Sequence, residues 1–153
     1  FGSQKNLMVS PRVFREFFKP RYARLIESIK KRTSAKVFLH CDGAIQKIIP
    51  DLIEMGVEVL NPLQPTADGM EPGPIKAAYG KQLAFHGAID NQQLLVKGTP
   101  AEVTRVVQQT IQALAPGGGY ALAAAHLLEP DMPLENILAM YSAAKTFGQY
   151  PIL

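Results

Sequence analysis

The chain has 153 residues, 47% hydrophobic and 19% charged. That is enough for one domain with a real core, and with no run of eighteen apolar residues it holds no membrane span. A net charge of +3 comes without any nucleic-acid reading motif, so the basic groups of Arg12–Arg24 and Lys30–Arg32 are read as solvated helix surface, and no nucleic-acid partner is expected. Cys41 is the single cysteine, which excludes an intrachain disulfide and suits a cytoplasmic setting.

Phe1-Gly2-Ser3-Gln4 carries neither an initiator Met nor a secretion signal, and reads as the interior of a longer chain or a processed product. Ser10-Pro11 then marks a helix start. Phe14, Phe18, Tyr22, Leu25 and Ile29 recur at spacings of three and four as its buried face, and Pro20 kinks or splits it. Lys36–Leu39 is a short apolar strand ending at His40-Cys41-Asp42-Gly43. Ile45, Ile48, Ile49, Leu52 and Ile53 form the next helical stripe, closed by Gly56. Val57–Leu60 is the second strand, leading into a loop from Asn61 to Pro65.

A short helix over Pro74–Tyr79 leads to the third strand, Leu83–Phe85, and to His86-Gly87-Ala88-Ile89-Asp90. Asp90 or Asn91 is placed to cap the next helix. Thr99-Pro100-Ala101-Glu102 predicts a capped helix start, with Val103, Val106, Val107, Ile111 and Leu114 facing inward. Gly117–Gly119 precedes a strand and comes after a helix. That is the wrong order for a phosphate-binding loop, so it is a turn. Tyr120–Ala125 is the fourth strand, reaching His126. Pro133 opens a last helix whose buried stripe is Leu134, Ile137, Leu138, Tyr141 and Phe147, ended by Gly148.

Four short apolar strands alternating with helices imply an α/β fold with a parallel sheet and right-handed crossovers. Four units are half of a (β/α)8 TIM barrel, which usually needs about 250 residues; an open doubly wound sheet has the same periodicity. In both architectures functional groups gather at the C-terminal strand ends. His40, His86 and His126 all fall there, and Asn61 and Gln64 come just after the second strand. Because strand side chains alternate, His40 and Asp42 share one face while Cys41 turns toward the helices. Two imidazoles and a carboxylate can hold zinc or iron with an open position. Without a metal the same groups form a polar site for a substrate carboxylate.

Several ordered stretches resemble the uroporphyrinogen decarboxylase superfamily, which includes tetrapyrrole decarboxylases and cobalamin-dependent methyltransferases. They are Ser10-Pro11 with Phe17–Arg21, Val37–Gly43 with Ile49–Ile53, Gly87–Asp90 with Gly98–Glu102, and Pro116–Tyr120 with Pro130 and Pro133–Leu138. The resemblance implies the C-terminal half of a barrel, as one unit over residues 1–153, with an N-terminal half absent. It implies first a decarboxylase-like enzyme acting on a tetrapyrrole or related anionic substrate without a cofactor. His126, His40 and Asp42 would then be catalytic, and His86, Asn61 and Gln64 would bind substrate. The family's principal Arg and Asp for that reaction belong to the missing half, so the fragment alone is expected to be inactive.

It implies second a metal-dependent methyltransferase partnered by a corrinoid protein, with zinc on His40, Asp42 and His126. The methyltransferase pattern is His-x-Cys with a later Cys. Here His40 is kept, while Asp42 and His126 replace both sulfur ligands, a harder donor set. A third expectation is a non-catalytic half barrel, whose open sheet edges pair with a second copy in a homodimer or with the missing half.

Overall fold

The computed structural model describes residues 1–152. Its four strands, β1 (Phe38–His40), β2 (Val59–Leu63), β3 (Ala84–Ile89) and β4 (Tyr120–Ala124), form one parallel sheet in the order β1-β2-β3-β4. Helices connect successive strands, the pattern of half a (β/α)8 barrel. No helix among the described residues is long and apolar enough to cross a membrane.

The first helical stretch shows what Pro20 does. It contains α1 (Pro11–Val13), a π turn (Phe14–Phe18) and α2 (Lys19–Lys30). A proline here lacks an N–H and its ring strikes the carbonyl four residues back. The preceding turn widens, so that the Lys19 N–H donates to the Phe14 carbonyl, five residues back. The extra residue rotates the apolar stripe. Phe14 is fully buried, with the rings of Phe1 and Phe18 around it, but Leu25 and Ile29 come out exposed, contrary to the sequence expectation.

A 3-10 turn (Gln46–Ile48) and α3 (Ile49–Glu54) come after β1, and α4 (Pro72–Tyr79) after β2. The single-turn α5 (Leu94–Lys97), α6 (Pro100–Leu114) and α7 (Leu134–Phe147) complete the chain. The predicted capping box holds at α6. The Thr99 N–H donates to the Glu102 carboxylate at 2.7 Å, and the Glu102 N–H to the Thr99 hydroxyl at 3.3 Å. Asp90 is a cap, its carboxylate accepting from the N–H groups of Gln92, Gln93 and Leu94 at 2.9–3.0 Å. Buried Asn136 locks α7 onto α5 by donating to the carbonyls of Leu95 and Gly98.

The sheet has two unlike faces. Leu39, Leu60, Phe85 and Tyr120 are register partners across it. Leu60 and Phe85 are fully buried among the helices, each contributing about 1.5–3 kcal/mol. Tyr120 also donates its hydroxyl to the Gly87 carbonyl at 2.9 Å, and burial pushes its pKa up. The rows on either side turn to the other face, which corresponds to a barrel's interior. There Phe38 is 53% exposed.

Three strands are displaced from their predicted spans. β1 begins at Phe38 rather than Lys36, β2 is Val59–Leu63 rather than Val57–Leu60, and β3 runs on to Ile89 rather than ending at Phe85. Asn61 and His86 are therefore strand residues. Pro62 is tolerated within β2 because the ladder register shifts between Leu60 and Leu63, where its missing N–H is not required. The predicted buried stripe of α7 is also corrected. Asn136, Met140 and Ala143 are buried, whereas Leu134 (65%), Leu138 (57%) and Tyr141 face outward.

Two ion-pair clusters hold the first helical stretch, one to α3 and one to the chain just before β1 and β2. Asp51 of α3 is buried and receives Arg15 at 3.0 Å and Lys19 at 2.8 Å. Burial alone would raise its pKa, but the hydrogen bonds from Arg15 and Lys19 outweigh that and lower it. Glu58 pairs with Lys30 and Lys36 and accepts from the Val37 N–H, which together hold it at about 2. Both carboxyls are more acidic folded than unfolded. Their stabilisation is complete above about pH 5 and is lost as pH falls through the unfolded value toward the folded one. Urea midpoints are expected to drop between pH 6 and pH 3, and Asp51→Asn to flatten that slope. An equal slope in the variant would remove Asp51 from the account.

Candidate functional site

The strand ends deliver one cluster. His40 closes β1, Asp42 lies two residues on, Asn61 projects from β2, His86 from β3, and His126 comes just after β4. His40 pairs with Asn61 across β1 and β2, and His86 pairs with Ala121 across β3 and β4. Hydrogen bonds join them along this row. His40 Nδ1 is 2.8 Å from Asn61 Oδ1, and Asn61 Nδ2 is 2.7 Å from His86 Nδ1. His40 Nε2 is 2.8 Å from Asp42 Oδ2. The His126 ring meets that of His40 edge-on, centroids 6.0 Å apart.

His40, Asn61, His86 and His126 border a cavity of about 510 Å³, lined further by Leu127, Leu128 and Tyr141 with Ala123 and Ala124. His86 is partly buried, and desolvation lowers its pKa, favouring the neutral ring. The Phe38 ring packs edge-on against it at 5.2 Å. Cys41 faces the other way, as strand alternation requires. It is buried in the helix-side core, and desolvation raises its thiol pKa, the opposite of what a nucleophile needs.

Asp42 is aimed by the turn behind it. Gly43 adopts φ +87°, and its N–H donates to Gln64 Oε1 at 2.9 Å, while Gln64 Nε2 donates to Gln4 Oε1 at 2.8 Å. Gln64 thus lies off the cavity: its amide braces the Asp42 turn, where the sequence had placed it among the substrate contacts. Leu127, Leu128 and Tyr141 are lining residues that the sequence did not single out. Tyr141 sits on a helical apolar stripe indistinguishable by period from a core position.

The donor set fits a divalent ion. One ligand atom from each of His40, Asp42 and His126 lies within 4.8 Å of the other two. Around a tetrahedral zinc with bonds of about 2.1 Å the donors stand about 3.4 Å apart, so the three side chains would have to adjust to hold one. Asn61 completes the pattern, because metal-bound imidazoles nearly always give their second N–H to an oxygen acceptor. The chemistry open to such a set is Lewis-acid activation of a nucleophile, with one coordination position free.

A half barrel with its polar groups at the C-terminal ends of the strands is an enzyme architecture. The family is explicit in the sequence: the uroporphyrinogen decarboxylase (URO-D) family profile matches residues 3–147, and the chain belongs to that family. Among solved structures, a methyltransferase from Methanosarcina mazei superposes with a TM-score of 0.75 at 23% identity, over 92% of this chain and 39% of that one. That likeness shows the fold. The chain thus spans well under half the length of this neighbour. No curated protein matches the sequence.

Proposed function

We propose that the chain is the metal-binding part of a URO-D family methyltransferase, with a divalent ion, zinc first, held by His40, Asp42 and His126. The carrying observation is the convergence of three ligand atoms within 4.8 Å from the ends of two separated strands. The ion, when bound, supplies the Lewis acidity that makes an acceptor nucleophilic near neutral pH. His40 and His126 contribute nitrogen lone pairs, and Asp42 offsets one positive charge. The net positive site left over favours an anionic acceptor. His86 offers a neutral ring to that acceptor, while Leu127, Leu128 and Tyr141 give the cavity an apolar border. With no thiolate among the ligands, this site suits a harder acceptor than the His-x-Cys pattern does. The methyl donor in this reading is a corrinoid protein, and the rest of the barrel comes from an N-terminal half or a second copy.

A second reading has one observation in its favour. His40 and Asp42 already satisfy each other at 2.8 Å, which is how a metal-free site for an acidic tetrapyrrole would rest. Elemental analysis of the dialysed chain, beside assays for methyl transfer and for uroporphyrinogen decarboxylation with the rest of the barrel supplied, separates the two. We expect one bound divalent ion per chain, lost in Asp42→Ala, and methyl transfer that chelators stop. Metal-free protein that decarboxylates uroporphyrinogen would establish the second reading and end the first.

A further inference from the structure

Asn61 stands between two imidazoles with no polar atom to spare. Its Oδ1 faces Nδ1 of His40 at 2.8 Å, and its Nδ2 faces Nδ1 of His86 at 2.7 Å. An amide oxygen only accepts and an amide nitrogen only donates. His40 must therefore carry a proton on Nδ1, and His86 must keep a lone pair there. We infer that Asn61 is a positioning residue that holds a proton on Nδ1 of His40 and a lone pair on Nδ1 of His86, so that the neutral His86 ring carries its proton on Nε2. His86 then offers the cavity a donor, while Nε2 of His40 is engaged by the Asp42 carboxylate.

The two rings are thereby divided between tasks. His40 turns its Nε2 toward Asp42 and the neighbouring His126, and this half of the inference rests on the metal reading of the site. His86 lines the cavity with Nε2 as its one uncommitted polar atom. A neutral N–H donor beside the ion site suits an oxyanion on the acceptor, a carboxylate above all, because it binds the oxygen without competing for the lone pairs that hold the ion. The Phe38 ring against His86 fixes the plane of that donor. The pKa of His86 is lowered by burial, which keeps the ring in the neutral form that a tautomer requires.

The test is long-range proton–nitrogen correlation on the full chain carrying 15N-histidine, with resonances assigned through His40→Gln and His86→Gln. Metal-free wild type should show His86 protonated at Nε2, and zinc-loaded protein should show His40 protonated at Nδ1. Asn61→Asp replaces the donor with a second acceptor. It should move the His86 proton to Nδ1 while keeping an oxygen acceptor on Nδ1 of His40. Asn61→Ala frees both rings and should weaken zinc binding about 10–100-fold, the usual effect of losing an outer partner. Wild-type His86 protonated at Nδ1, or a His86 tautomer unmoved by Asn61→Asp, overturns the inference. Should the wild type bind no zinc yet show the His86 tautomer and its reversal, the metal reading falls and the role of Asn61 stands.

Discussion

His40→Ala is expected to weaken zinc binding by more than about a hundredfold, beyond the range seen when only an outer partner is lost. The substitution removes one of three donors and releases Asn61 from its partner. It should do little to the fold, because the His40 side chain is 55% exposed and its removal opens no core cavity. Surface changes of that kind usually cost no more than about 0.5 kcal/mol. A competition titration against a chromophoric chelator reads the affinity, and a urea melt reads the stability. Wild-type affinity in the variant would take His40 out of the donor set.

Gly43→Ala carries the second large effect, and it strikes both stability and site. At φ +87° an L side chain is strained by about 1–2 kcal/mol, and here space is lacking too. An added Cβ would lie 2.5 Å from the Gly2 carbonyl carbon and 2.6 Å from the Ser3 carbonyl oxygen, both backbone. The turn must move, and Asp42 moves with it. We expect a loss of about 2–4 kcal/mol with weakened zinc binding. Gly118→Ala is the control, since Gly118 has a similar φ of +83° and nothing within 4 Å of the added atom. It should lose only the backbone strain and leave metal binding intact. Equal losses in the two variants would show that crowding at Gly43 plays no part.

Much of the architecture was legible because it rests on repeating local rules. Alternating strand and helix periods announced four parallel units, Thr99 and Glu102 announced α6, and the histidines fell where parallel strands end. The same alternation turned Cys41 away from His40 and Asp42. Other features needed contacts that no local rule encodes. The widened turn before Pro20 shifts the helix phase by one residue, so Leu25 and Ile29 leave the face their spacing assigned them. Tyr141 and Leu138 have the period of core residues, yet they face outward beside the sheet's open side. Gln64 comes after a strand end like its neighbours, but it is drawn aside by Gly43 and Gln4. Asn61 looked like a loop residue beside Pro62. Its ladder pairing with His40 makes it part of β2, and its amide lies between two rings.

The row that runs from His40 through Asn61 to His86 has a consequence for how such a centre changes over evolutionary time. Each chemical group hangs from its own strand, and the backbone beneath is fixed by ladder bonds that ignore side-chain identity. One such group can be exchanged for another without rebuilding the scaffold. The chemistry of the strand ends can then drift by single substitutions while the framework persists. A centre assembled on one flexible loop would have to relearn its conformation with every such exchange.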